Sequence, residues 1–320
     1  MPVPLLTTAL IPLALAAQAA MTESPASGST LRVADQRVAT VAYRIARDGA
    51  RFCPDQRPVT GLLLHHLADY GPADRAGMIA RYRLDRGIGV LSVVAGSPAA
   101  RAGLQAGDVI LAINGRGVTP APVDSERSAR DALEDDLEDA LTLGPAELRL
   151  RRVGTELTVT LSSERGCPAR VRLARSAQVN GFATARQVVL TTALLAETQS
   201  DDELAVVIGH ELAHVALRHP DRLIAQGVPR GLLRSFGRNA ERVHQTEQEA
   251  DRLGIRLGWA AGYDMRAAIP FWRRFYARYD GPQLFRTHPS LALRERLISG
   301  TLAELEAGAE RPELGKGPLA

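Results

Sequence analysis

The stretch from Ser200 to Pro220 constrains the fold more than any other part of the chain. Ser200-Asp201-Asp202-Glu203 has the pattern of a capping box and Pro220 marks the far end, so one helix is expected between them. From Leu204 to Leu217 apolar side chains point in nearly every direction, the mark of a helix enclosed by other elements. Polar residues set into such a helix need partners. His210 and His214 stand at i and i+4, on one face, where two imidazoles can hold a single ion. Glu211 lies about 100° further round and can reach a water beside that ion without ligating the ion itself. Buried without a metal, this group would carry a large desolvation cost.

A hydrolytic zinc site uses three protein ligands and keeps one position open. Zinc acidifies a water and polarises a carbonyl, and a carboxylate beside them moves the proton. The third ligand is sought in Glu247-Gln248-Glu249-Ala250-Asp251. Glu247 and Asp251 share a helix face, so one can ligate while the other holds a ligand histidine from behind. His244 lies on the same face and is the rival ligand, but only Glu247 brings a supporting carboxylate with it. Glu249 faces roughly away from that pair. His219, beside Pro220, is expected to be a cap or packing residue.

The N-terminal half has a different texture. Leu31 to Asp48 is expected to form a helix after a flexible lead-in from Met21 to Thr30. His65 and His66 are adjacent, so they face different ways and are read as structural. Gly87-Ile88-Gly89-Val90 opens a strand. Ser97-Pro98 starts a short helix closed by Gly103, and Asn114-Gly115 makes a tight hairpin. Ser125 to Leu143 is expected to be a polar helix whose Glu134-Asp135-Asp136 run is solvated, followed by two strands around Gly154-Thr155.

These motifs carry two resemblances. Residues 85–163 resemble a PDZ domain of the bacterial exported-protease type, through Gly87-Ile88-Gly89-Val90, Ser97 to Leu104, Gly107 to Ile110 and Ile113-Asn114-Gly115. That likeness implies a peptide carboxylate held by the backbone at Gly87, Ile88, Gly89 and Val90, with the following strand edge accepting an added β-strand. Residues from about Cys167 to Leu302 resemble the HtpX/BepA-type zinc metallopeptidases. The likeness rests on His210-Glu211-Leu212-Ala213-His214, Arg218-His219, Glu247, Ala250-Asp251, Gly254, Gly262-Tyr263-Asp264, Thr287-His288-Pro289-Ser290 and Arg294. It implies one Zn2+ on His210, His214 and Glu247, Glu211 as general base and Asp251 behind the ligands. His288 and Arg294 would lie near the open coordination position, steadying an oxyanion or blocking the site.

The fold class expected is α+β: a mainly helical metallopeptidase domain of the gluzincin type, with a small edge β-sheet, preceded by a PDZ-like β-rich domain. The expected organisation is a signal peptide (1–19), a lead-in with helix (20–84), the PDZ-like domain (85–163), the peptidase domain (164–306) and a disordered tail (307–320). The hairpin Gln178–Thr192 is expected to offer an edge strand to substrate, although no glycine stands at its turn. A net charge of +3 with scattered arginines argues against a nucleic-acid partner. Leu5 to Ala17, ending in Ala17-Gln18-Ala19, reads as an export signal, and no later stretch is apolar enough for a span. Export to a Gram-negative periplasm is expected, with peripheral membrane contact left open. In that oxidising compartment Cys53 and Cys167 are expected to form a disulfide. The function expected is endopeptidase cleavage of unfolded or misassembled exported proteins, with a PDZ-like domain for capture. The alternative is a chaperone-like or adaptor protein whose zinc site is gated by His288.

Overall fold

The computed structural model describes residues 25–84, 88–118, 129–168, 170–229, 237–279 and 289–308. The expected signal segment, Gly87, His288 and the tail beyond 308 lie outside the described residues. The architecture is α+β, as the sequence pattern indicated.

Helix α1 (Pro25–Asp48) starts within the segment expected to be a flexible lead-in. Its Val38, Val41, Ala42 and Ile45 are buried at helical spacing, so tertiary packing holds a helix whose N-terminal half looks like a linker. Next come β1 (Arg57–Val59), β2 (Leu62–His65) and α2 (Pro72–Tyr82). They are followed by β3 (Ile88–Val93), α3 (Pro98–Arg101), β4 (Val109–Ile113) and β5 (Arg116–Gly117). Helix α4 (Ala129–Leu143), β6 (Ala146–Arg152) and β7 (Thr155–Leu161) complete this half. Its sheet runs in the order β2-β3-β4-β6-β7, with β5 on β4. Leu133, Leu137 and Leu141 of α4 repeat every fourth residue and close the core over Leu64, Val90, Ile110 and Leu148. Asn114 and Gly115 take positive φ (48° and 77°), as the two-residue β4–β5 turn requires.

Two features of this half differ from expectation. β2 lies before residue 85, so the sheet takes its outer strand from the segment read as lead-in. The acidic run on α4 is solvated only in part: Asp136 is exposed, while Glu134 and Asp135 are partly buried against arginines. Glu134 pairs with Arg172, and Asp135 with Arg170 (2.6 Å) and Arg186 (2.5 Å). The cations come from strands far along the chain, which helical periodicity cannot show.

The second half starts with β8 (Glu164–Gly166), which pairs with β1. Strands β9 (Arg170–Ala174), β10 (Gly181–Ala183) and β11 (Gln187–Thr191) form a sheet ordered β10-β11-β9. The β10–β11 turn needs no glycine, because the Thr184 hydroxyl accepts the N–H groups of Arg186 and Gln187. Helices α5 (Thr192–Glu197), α6 (Asp201–Ala216), α7 (His219–Ala225) and α8 (Gly237–Ala260) follow. Helices α9 (Ala268–Tyr279) and α10 (Leu291–Ala307) complete the domain. Helix α6 sits at its centre, packed on α8, α1, α9 and the small sheet. Where α6 and α8 cross, a Cβ on Gly209 would lie 2.7 Å from the Gly254 carbonyl oxygen, so both helices need glycine there. That approach sets His210 and His214 against Glu247 and Asp251.

Cys53 and Cys167 are bonded, with Cα atoms 5.5 Å apart. The bridge closes a loop across a sequence separation of 114 and joins the chain on either side of the PDZ-like sheet. A Cys53→Ala/Cys167→Ala double variant is expected to lose about 2–4 kcal/mol of stability. Denaturant unfolding of oxidised wild type against the variant checks this; equal midpoints would show that the bridge restrains nothing.

Candidate metal centre

The site is built from the start of α6 inward. The Ser200 hydroxyl accepts the Glu203 N–H (3.2 Å), while Glu203 accepts from the Gln199 N–H (2.8 Å) and from Arg274 (2.7 Å). The cap sets the helix phase, which turns His210 and His214 toward α8.

Three ligating atoms converge there. His210 Nε2 and His214 Nε2 are 3.2 Å apart; Glu247 Oε2 is 3.4 Å from the first, and Glu247 Oε1 is 3.5 Å from the second. Donors about 2.0–2.1 Å from a tetrahedral ion are about 3.3 Å from one another, and each nearest pair here, with one Glu247 oxygen turned to each imidazole, has that spacing. His210, His214 and Glu247 are the one such group among the described residues, and the rival His244 is not in it.

Each imidazole is held from behind. His210 Nδ1 contacts Asp251 Oδ1 at 2.9 Å, so its proton sits on Nδ1 and its Nε2 lone pair faces the centre. Asp251 in turn accepts from Arg294 Nε at 2.9 Å. Burial opposes ionisation of Asp251, but Arg294 beside it and the hydrogen bond from His210 hold its carboxyl below the usual range. Without a metal, burial works against a charged His210, but the hydrogen bonds it donates to Asp251 and Glu247 outweigh that and lift its pKa to about 10. The centre therefore favours positive charge, which a proton on His210 supplies when no metal is bound. The donor set of two imidazoles and one carboxylate fits a divalent metal.

Arg294 was expected beside the open coordination position. Instead it is 1% exposed, its guanidinium 4.0 Å over the Trp272 ring and its Nη2 3.7 Å from Glu247 Oε2. There it is a counter-ion to the two carboxylates, bonded through Nε to Asp251 and beside Glu247 through Nη2.

His219 is more than a cap. Arg218 takes φ 54°, which ends α6 and turns the chain back, so the His219 ring lies against the metal face. Its Nδ1 is 2.9 Å from His214 Nδ1 and its Nε2 3.0 Å from Glu249 Oε2. Glu249 also accepts from Arg222 (2.6 Å) and Gln245 (3.0 Å). The sequence signal was the ring of His219 five positions beyond His214, but a straight helix would not bring the two together.

Glu211 lies beside β10, the outer strand of its sheet: a Cβ on Gly181 would come within 3.3 Å of Glu211 Oε1. Burial pushes its carboxyl up to about 7, with the charge of His210 pulling the other way. A carboxyl poised near neutrality suits a general base.

Of the peptide site expected at Gly87, Ile88, Gly89 and Val90, Gly87 lies outside the described residues and the other three lie on β3. β3 is paired on both sides, with Gly89 opposite His65 of β2 and opposite Val109 of β4. From Gly89 to Val90 the backbone is bonded to neighbours on both sides, so an added strand would have to displace one of them. The free edge belongs to β2, beside α4. A cleft of about 380 Å³ opens there, walled by Gly61, Leu62, Leu64, Leu137 and Leu141 and by Tyr43 of α1. His65 and His66 are structural: His65 Nδ1 meets the Tyr70 hydroxyl (2.7 Å) and His66 Nδ1 accepts from the Ala68 N–H (3.2 Å).

With this geometry in hand, the comparisons define the class. Residues 146–237 and 232–301 match the model of peptidase family M48, and residues 89–137 match that of a PDZ domain. The chain thus contains a region that matches metallopeptidases of family M48 and one that matches a PDZ domain. Among curated proteins it is similar to the beta-barrel assembly-enhancing protease of Yersinia pestis, at 28% identity over 173 residues, 44% of this chain and 35% of that protein. It is also similar to the mitochondrial metalloendopeptidase OMA1 of Arabidopsis thaliana, at 30% over 145 residues, 38% of this chain and 29% of that protein. The metalloprotease LoiP of Escherichia coli (strain K12) is 28% identical over 118 residues, 37% and 44% of the respective chains. The matches span less than half the length of these relatives.

Proposed function

We propose that the chain is an exported zinc-dependent endopeptidase that hydrolyses peptide bonds in unfolded or misassembled proteins. The convergence of His210 Nε2, His214 Nε2 and the two Glu247 carboxylate oxygens at 3.2–3.5 Å carries this reading, since two imidazoles and a carboxylate gathered this closely in a buried place are the donor set of a divalent metal. Zinc bound there would supply Lewis-acid polarisation of the scissile carbonyl and acidify a water. Glu211 takes the proton from the attacking water and passes it to the departing amide nitrogen. Asp251 and His219 keep the imidazoles aimed, and Arg294 neutralises the carboxylates behind them.

The outer strand β10 passes the Glu211 carboxylate with one edge unpaired by the sheet, and Phe182 on it is 43% exposed. A substrate segment adding to that edge in extended form would bring its carbonyls past Glu211. PDZ domains take peptides by the same strand addition, and here the available edge is β2 over its cleft with α4. Leaving the β3 segment and using β2 keeps the capture role while moving it. The Cys53–Cys167 bond supports an oxidising compartment, as export to a periplasm would provide. No helix among the described residues is long and apolar enough to cross a membrane.

Metal analysis tests the reading together with activity. The purified protein is expected to hold one zinc per chain and to cleave an unfolded reporter protein. Chelation should abolish cleavage and stoichiometric zinc should restore it. Cleavage that persists in the metal-free protein would overturn the mechanism.

A further inference from the structure

We propose that His219 is a positioning residue: a neutral imidazole relay from Glu249 that fixes the tautomer of His214 and aims its Nε2 at the metal. The inference rests on the metal reading above and adds residues that the ligand set does not include. Two Nδ1 atoms 2.9 Å apart share one proton, because two N–H groups head to head would repel. A ligating His214 offers its Nε2 lone pair, so the shared proton belongs to His214 Nδ1 and His219 Nδ1 accepts it. The His219 ring then carries its own proton on Nε2, where Glu249 Oε2 waits at 3.0 Å. Glu249 is fixed in turn by Arg222 and Gln245.

Every donor and acceptor along this line has one consistent assignment. His219 is 1% exposed, so its ring is closed off from bulk solvent. The two ligand histidines are therefore supported unequally. His210 leans on Asp251 directly, at 2.9 Å. His214 reaches its carboxylate only through a second imidazole, which the left-handed residue Arg218 folds back beneath it.

The test measures zinc affinity by competition with a chromophoric chelator, with thermal melting of the metal-free proteins as the control for folding. His219→Leu is expected to bind zinc about 10–100-fold more weakly than wild type. His219→Asn places a carbonyl oxygen near the lost Nδ1 and is expected to recover most of that affinity. Long-range proton–nitrogen correlation spectra of zinc-loaded wild type are expected to show His219 protonated on Nε2 alone; this readout needs no variant to fold. His219→Leu binding zinc as tightly as wild type, or a His219 proton on Nδ1, would overturn the relay and leave the metal site standing. A wild type that binds no zinc would overturn both.

Discussion

Glu211→Gln is expected to keep the zinc content of wild type while cleaving an unfolded protein about 10²–10⁴-fold more slowly. The amide preserves the size of the side chain beside Gly181 and β10, so the cleft keeps its shape. What it loses is the ability to take a proton. The three ligands stand apart from it: His210, His214 and Glu247 remain, as do Asp251 and His219 behind them. Zinc should thus be retained with turnover lost, measured by metal analysis beside a time course of cleavage. Cleavage within tenfold of wild type would remove Glu211 from the mechanism, and loss of zinc would show it holding the metal.

Arg294→Ala has the largest expected effect on stability. The guanidinium is buried over Trp272 and is the cation facing both Asp251 and Glu247, at 2.9 and 3.7 Å. Removing one partner of a buried charge pair leaves the other uncompensated, which costs about 3–5 kcal/mol. The loss should be greatest in the metal-free protein, where only a protonated His210 shares the neutralisation of the two carboxylates. Arg294→Lys should fall between the two, since it keeps the charge but loses the flat stack on the indole. Chemical unfolding with and without zinc checks this. An alanine variant within 1 kcal/mol of wild type in both states would show that the carboxylates are neutralised otherwise.

Much of the molecule was legible because its signals are local. The capped start at Ser200, the spacing of His210 and His214, the pair Glu247 and Asp251, and the turns at Asn114-Gly115 and Gly154 all act within one or two helical turns or one hairpin. Periodicity and capping chemistry report such features directly. The PDZ pattern was recognised for the same reason, yet its edge was misplaced. Whether a strand is outer or inner depends on what pairs with it, and β2 comes to β3 across the intervening helix α2. The acidic run on α4 failed in part likewise, because Arg170, Arg172 and Arg186 reach it from another sheet.

The helix at Ser200–Pro220 shows the division most sharply. Its sequence determined that it would be buried, that two imidazoles would share one face, and that Glu211 would stand beside them. The pair Glu247 and Asp251 was also legible as their partners; tertiary structure decided which imidazole each carboxylate meets and what else stands behind them. The bare approach of Gly209 to Gly254 brings α8 close enough for Glu247 to complete the triangle and Asp251 to grip His210. The left-handed turn at Arg218 brings His219 under His214, and α10 carries Arg294 in behind the carboxylates. Helical spacing fixes which side chains share a face; only packing fixes what that face meets.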